Sequence, residues 1–160
     1  MSQILINDLI RQLNEIHDGS KWFDQYFNEK IGGLSGAEAF ARPHPSLHSV
    51  AEQVSHMLEW RKECMQRLLD KKYDLMHAPE DWKDIEQLQQ TGWPALLAAF
   101  DQSRYDMIAL IDARDDAYLE TPFQDTEYNY HYLIEGIIQH DIYHMGQIGV
   151  VLKMIRDEKF

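Results

Sequence analysis

The chain has 160 residues, which suffice for one ordinary domain with a hydrophobic core, so folding requires neither a disulfide nor a metal. Its 27 acidic residues against 15 Lys and Arg give a net charge of -12, which repels phosphate and anionic lipid and excludes nucleic acid and membrane surfaces as partners. A single cysteine, an N-terminus without signal-peptide features and the lack of a long apolar run predict a soluble cytoplasmic protein.

Helical periodicity marks four long segments of the chain, and no segment shows the alternation of a strand. The first predicted helix covers about residues 3–30, where apolar residues recur at three- and four-residue steps before a glycine pair. After a loop with two prolines, a second helix is predicted over residues 49–71. It opens on Ser49 and Glu52, which are spaced as in a capping box, where each side chain bonds a free backbone N–H.

The second half of the chain predicts two more long helices. A connection over residues 73–92 has room for a short helix at 84–90. A third long helix follows over residues 94–113, and it opens on a proline, which suits a first turn. A fourth covers residues 128–156 after a polar connection. We therefore predict one domain over residues 1–160, an all-α four-helix bundle with longer crossover connections.

The strongest chemical signal lies in the fourth predicted helix, where His140 and His144 are four residues apart. This spacing places both rings on one face, one turn apart, where they can converge on one ion. Both fall in the middle of the apolar stripe, between Ile137 and Ile148, so both rings should be buried and each needs a polar partner. A metal ion would satisfy both rings; the alternative is two core histidines bonded to carboxylates or waters from other helices.

The histidine pair shares its spacing with the H-E-x-x-H helix of zinc peptidases, but the agreement ends there. Asp141 stands where those enzymes have their glutamate base. The further glycine and third histidine of one such class would fall on Gln147 and Val150. The sequence therefore argues against a peptidase.

A third protein ligand has to come from another helix, and two histidines qualify. His17 lies near the edge of the apolar stripe of the first predicted helix, and His56 lies on the flank of the stripe of the second. Periodicity alone does not choose between them. The other histidines lie in loops or face elsewhere on a helix: His44, His48, His77 and His131.

Two runs of sequence resemble the DinB/YfiT-like superfamily. The run SVAEQVSHM at residues 49–57 has a serine, an acidic residue three later and a histidine seven later, as in that family's second helix. The run HDIYHMGQI at residues 140–148 is similar to the family's C-terminal HxxxH-x-GQ-[IL] signature. The order of four helices agrees over nearly the whole chain, and one departure is His48, where the family often has tryptophan.

The resemblance implies a DinB/YfiT-like bundle that holds one divalent metal ion on His56, His140 and His144, with further positions held by water. Zinc, nickel and iron all suit imidazole ligands, and the sequence does not choose among them. Three protein ligands with an open position are typical of catalytic sites, whereas structural sites are closed.

Three more residues are predicted to support the site. Glu59, three residues after His56, is a candidate fourth ligand or hydrogen-bond partner. Asp141 would orient a histidine N–H, or it would be a solvated or interhelical carboxylate. Gln147 would hydrogen-bond near the ion or tie helices together. Cys64 is predicted to be a small buried hydrophobe and not a ligand.

The leading functional hypothesis is a metal-dependent enzyme. Characterised relatives include transferases and isomerases that use low-molecular-weight thiols, so a small thiol and an electrophile are the expected substrates; a hydrolase is also consistent with such an ion. The alternatives are a non-catalytic metal-binding or stress-related bundle and a metal-free interaction module.

A second apolar strip on the fourth predicted helix favours a homodimer. Its residues lie about 100° or more from the line of the two histidines: Ile138, Ile142, Met145, Gly149 and Leu152. A partner copy would cover such a strip, and the glycine would let its backbone approach closely. The alternative is that neighbouring helices of the same bundle bury it.

Overall fold

The computed structural model describes residues 2–19, 22–71, 74–124 and 126–157. In chain order its helices are α1 Ile4–Asp18, α2 Phe27–Ile31, α3 Gly36–Phe40, α4 Val50–Leu68, α5 Ile85–Thr91, α6 Trp93–Asp112, α7 Asp116–Leu119 and α8 Tyr130–Arg156, with a 3-10 turn at Leu75–His77. No strand occurs in the described residues, so the all-α prediction is confirmed. None of the described helices has the length and apolar character needed to cross a membrane.

Four long helices, α1, α4, α6 and α8, pack around a shared apolar core. α4 contacts α6 and α8, and α1 contacts the same two helices. The core takes buried residues from all four, such as Leu9, Met57, Phe100 and Ile148. The direct packing of α4 against α8 brings together the two helices that carry the histidines singled out above.

The first predicted helix is wrong in its length. α1 ends at Asp18 because Gly19 has a φ of +107°, which a right-handed helix does not adopt. The next described residues, 22–26, are not helical, and helix resumes only in α2. Residues 20 and 21, in the middle of the predicted helix, lie outside the described residues. The apolar spacing continues across this break to Phe27, which is buried, and therefore mimics one long helix.

Three short elements, α3, the 3-10 turn and α7, were not predicted. α3 begins with a capping box in which Ser35 and Glu38 bond each other's backbone N–H. That Ser-x-x-Glu spacing is the signal used to predict the start of α4, so α3 could have been predicted in the same way. The other two elements are a single turn each and leave no periodic pattern.

The N-terminus of α1 is capped from the far side of the sequence. The carboxylate of Asp116, in α7, accepts hydrogen bonds from the backbone N–H groups of Ile4, Leu5 and Ile6 at 2.9, 3.0 and 3.1 Å. These are N–H groups that a helix cannot satisfy internally. The side chain of Gln3, the residue before α1, provides no cap, so α7 completes α1.

The second apolar strip of α8 is largely covered within the chain. Ile138, Met145 and Leu152 are buried. At Gly149 the close approach is made by this chain's own Lys30, whose Nζ lies 3.3 Å from where a Cβ would stand. Ile142 is only half-buried, so neighbouring elements cover most, but not all, of the strip that favoured self-association. The homodimer stays a prediction, and sedimentation equilibrium can test it.

Candidate metal centre

His56 lies two turns into α4, whose start is fixed by a buried capping box. The Ser49 hydroxyl accepts from the Glu52 N–H at 3.2 Å, and the Glu52 carboxylate accepts from the Ser49 N–H at 2.8 Å. Burial raises the pKa of Glu52, but hydrogen bonds from Arg42 and Ser49 outweigh this and lower the pKa to about 2. The carboxylate therefore stays ionised and holds the first turn of α4, and with it His56, in place.

The rings of His56, His140 and His144 converge between α4 and α8. Their ring centroids are 4.5 to 5.0 Å apart, and one nitrogen from each ring lies within 4.8 Å of the others. The Nε2 atoms of His56 and His140 are 3.1 Å apart. Two nitrogens bound to one ion at about 2.0–2.1 Å, with an angle of about 90–110° between them, lie about 2.8–3.4 Å from each other. The spacing of His56 and His140 matches this range, and the three residues together could hold a divalent metal ion.

His17, the alternative third ligand, has another partner. It is 1% exposed, and its Nε2 accepts a hydrogen bond from Arg61 at 2.8 Å. Burial and the charges of nearby arginines lower the pKa of His17, so the ring stays a neutral acceptor. The structure thus brings His56, and not His17, to the histidine pair on α8.

Burial keeps the three converging imidazoles neutral. It lowers the pKa of His140 to about 3 and that of His144 to about 4, and it lowers the pKa of His56 as well. The other rings add to the effect at His140 and His144, because protonating one ring would place a positive charge beside its neighbours. Neutral imidazole is the form that binds a metal ion.

Zinc binding at pH 6 should therefore release less than one proton per site. Three ordinary histidines with a pKa of about 6.5 would together release about two protons at this pH. Titration calorimetry in two buffers of different ionisation enthalpy measures the number of protons released, and release of two protons would contradict the lowered pKa values.

The three histidines should also make the metal-free protein less stable as the pH falls from about 6.5 towards 4, because the unfolded chain then takes up protons that the folded chain excludes.

Part of the connection between α4 and α5 orients His56. Its Nδ1 lies 2.9 Å from the backbone carbonyl of Asp81 and 3.1 Å from the carboxylate. Because these oxygens only accept, Nδ1 carries the proton and Nε2 presents its lone pair towards His140. Trp60 donates to the same carboxylate at 2.8 Å, and Trp82 stacks on the His56 ring at 4.0 Å. Asp81 was not predicted, because a contact from a loop leaves no periodic signal.

The two rings on α8 differ in their support. The amide oxygen of Gln53, on α4, lies 3.5 Å from Nδ1 of His144, and the predicted Gln147 also hydrogen-bonds this ring. Nδ1 of His140 is buried and has no hydrogen-bond partner among the described residues. Gln53 was missed, although its position three residues before His56 places it on the same helix face.

The carboxylates of Glu59 and Asp141 bind other side chains and not the three converging histidines. The Glu59 carboxylate accepts from Lys62 at 2.8 Å and from Lys83 at 2.7 Å. Asp141 is fully buried and accepts from Arg61 at 2.7 and 3.0 Å. Neither carboxylate is among the groups that bond the three rings in the described part of the chain.

The Arg61 guanidinium joins all four long helices at the centre of the bundle. From α4 it donates to Asp141 of α8, to His17 of α1, and to a carbonyl and a hydroxyl of α6. The side chains of Arg61 and Asp141 are 1% and 0% exposed. Since Asp141 directly follows His140, this ion pair fixes the position of α8 relative to α4 next to the converging rings.

An open cleft of about 340 Å³ lies between α4 and α8, and His56 and His140 form part of its lining. Glu63 and Arg67, further along α4, also line it and form an ion pair. The other walls are mostly apolar and aromatic, including Trp60, Phe123, Tyr128, Tyr132, Leu133 and Ile137. A small molecule in this cleft would reach two of the three rings.

Comparison with known families gives a match over most of the chain. The family model of the DinB superfamily matches residues 23–148, a range that includes all three converging histidines and most of α8. In a comparison with curated proteins, none matches the chain.

Proposed function

The chain belongs to the DinB superfamily, and from this premise we propose that it is a metal-dependent enzyme that holds one divalent ion on His56, His140 and His144. The observation that carries the proposal is the convergence of three neutral imidazoles from two helices at an open cleft. Structural zinc sites are closed by four protein ligands, whereas catalytic sites use three and leave one position open. Three rings beside a cleft support the catalytic kind.

The proposed reaction joins a small thiol to an electrophile, or uses the thiol to isomerise a substrate. A divalent ion, whether zinc, nickel or iron, supplies Lewis acidity, which acidifies a thiol or water and polarises a carbonyl. The chain's own residues hold the rings for this chemistry: Asp81 keeps the proton on Nδ1 of His56, and Gln53 lies against Nδ1 of His144. The free thiol of Cys64 suits a reducing compartment, so we include a cytoplasmic location in the proposal.

Cobalt-substituted protein tests whether the ion has an open position. Its visible spectrum should shift when 2-mercaptoethanol is added, because an open position accepts a thiolate. If thiol, azide and acetate all leave the spectrum unchanged, the result would instead support a non-catalytic metal-binding bundle. His77→Ala is the matched control, since this exposed histidine lies outside the cluster and its loss should leave the spectrum unchanged. The metal-free protein should keep its helical circular dichroism, because apolar residues form the core.

A further inference from the structure

We propose that the cleft between α4 and α8 binds the apolar body of a small uncharged substrate. The metal-binding atom of this substrate would reach the metal position beside His56 and His140. This inference rests on the proposed function, since it assigns a substrate class to the same site. It is carried by three observations: the direction of the cleft, the pairing of the charges that line it, and a glycine in its wall.

The cleft runs along both helices away from the rings. On α4 its lining extends from His56 to Arg67, which are eleven residues or about 16 Å apart along a helix. On α8 it extends back from His140 to Tyr132. One end therefore offers the metal position, and the remainder offers apolar and aromatic walls. A matching ligand is elongated, with one coordinating atom at its end.

The charges that line the cleft are paired. The Glu63 carboxylate binds Arg67 with one oxygen and accepts from the backbone N–H of Leu75 with the other, at 3.2 Å. Burial raises the pKa of the Cys64 thiol, so the thiol stays neutral. The apolar walls are also partly open to solvent, since Tyr128 and Tyr132 stack on each other while 52% and 59% exposed. Such a surface gains most from an uncharged apolar ligand.

Gly136 makes room in the wall contributed by α8. Glycine is among the least favourable residues inside a helix, so a glycine here calls for a physical reason. A Cβ at this position would meet nothing within 4 Å, so the protein itself does not require the small residue. A larger side chain would occupy the cleft, one helical turn before His140. The glycine thus preserves space that a ligand can fill.

Two hydroxamates test the inference on zinc-loaded protein. Benzohydroxamate and acetohydroxamate coordinate zinc through the same group and differ in the phenyl ring. We expect the wild type to bind benzohydroxamate about 10- to 100-fold more tightly, because the ring is buried in the cleft. Gly136→Leu should reduce this ratio to below about threefold while the metal content and the acetohydroxamate affinity stay unchanged. Titration calorimetry measures both affinities.

Gly33→Leu is the matched control. Gly33 lies just after α2, also with nothing within 4 Å of an added Cβ, but outside the cleft lining, so its replacement should preserve the ratio. A ratio below about threefold in the wild type, or one that survives in Gly136→Leu, would overturn the inference without touching the metal proposal. If the protein binds no zinc, the proposed function fails. Binding of an apolar ligand in the cleft is then tested by adding toluene to the metal-free protein. Amide NMR shifts at Gly136 and Ile137 would support it, and their absence would overturn it.

Discussion

Replacing Asp141 by Ala is expected to lower the free energy of unfolding by about 3–5 kcal/mol. The change leaves the guanidinium of Arg61 buried at the centre of the bundle without its carboxylate. The remaining acceptors, among them the neutral ring of His17, do not replace a charge. Urea denaturation of the metal-free protein measures the loss as a lower midpoint at constant slope.

Two further variants separate this buried pair from ion pairs in general. Arg156→Ala removes an exposed pair with Glu38 at 3.2 Å, and it should leave the free energy of unfolding almost unchanged. The double variant Arg61→Met, Asp141→Leu should recover part of the loss, because no charge is then left buried. A cost below about 1 kcal/mol for Asp141→Ala would show that the pair does not hold the helices together.

Replacing His140 or His144 by Ala is expected to abolish stoichiometric zinc binding, and His56→Ala should weaken it by more than about 100-fold. Loss of groups that merely support a ligand commonly costs 10- to 100-fold in affinity, and loss of a ligand itself should cost more. Elemental analysis after purification and calorimetric titration of metal-free protein measure the effect. Circular dichroism establishes that each variant is folded.

His17→Ala is the matched control for these variants. It removes a buried histidine that lies outside the cluster and bonds Arg61, so it should lower stability but leave the metal content unchanged. If the His56→Ala protein keeps the metal content of the wild type, His56 is not a ligand. If the wild type binds no divalent metal, the proposal of a metal-dependent enzyme fails.

The candidate site could be predicted from the sequence where its geometry is local. His140 and His144 share one helix face because of their spacing, and the surrounding apolar stripe indicated that they point into the bundle. The choice of His56 needed the family resemblance, since periodicity left His17 open. What sets His17 apart is a hydrogen bond to Arg61, 44 positions away in the chain, and no local pattern reveals such a contact.

The fold could be predicted where a periodic signal repeats over many residues, as it does along α4 and α8. The helix prediction failed around Gly19, because the apolar spacing continues across a break in the helix that is caused by the positive φ of Gly19. The support of His56 by Asp81 was equally hidden, since it comes from an irregular connection. Local patterns therefore identify helices and helix-borne pairs, whereas loop contacts and helix ends depend on the assembled structure.

The capping of α1 by Asp116 has a consequence for the time at which this helix forms. The carboxylate follows Ile4 by 112 positions, and at about 5–20 residues per second a ribosome adds it about 6–22 s after that residue. During this interval the first N–H groups of α1 lack their acceptor, and short isolated helices are marginal in water. The cap of α1 is thus completed only after the ribosome has added Asp116.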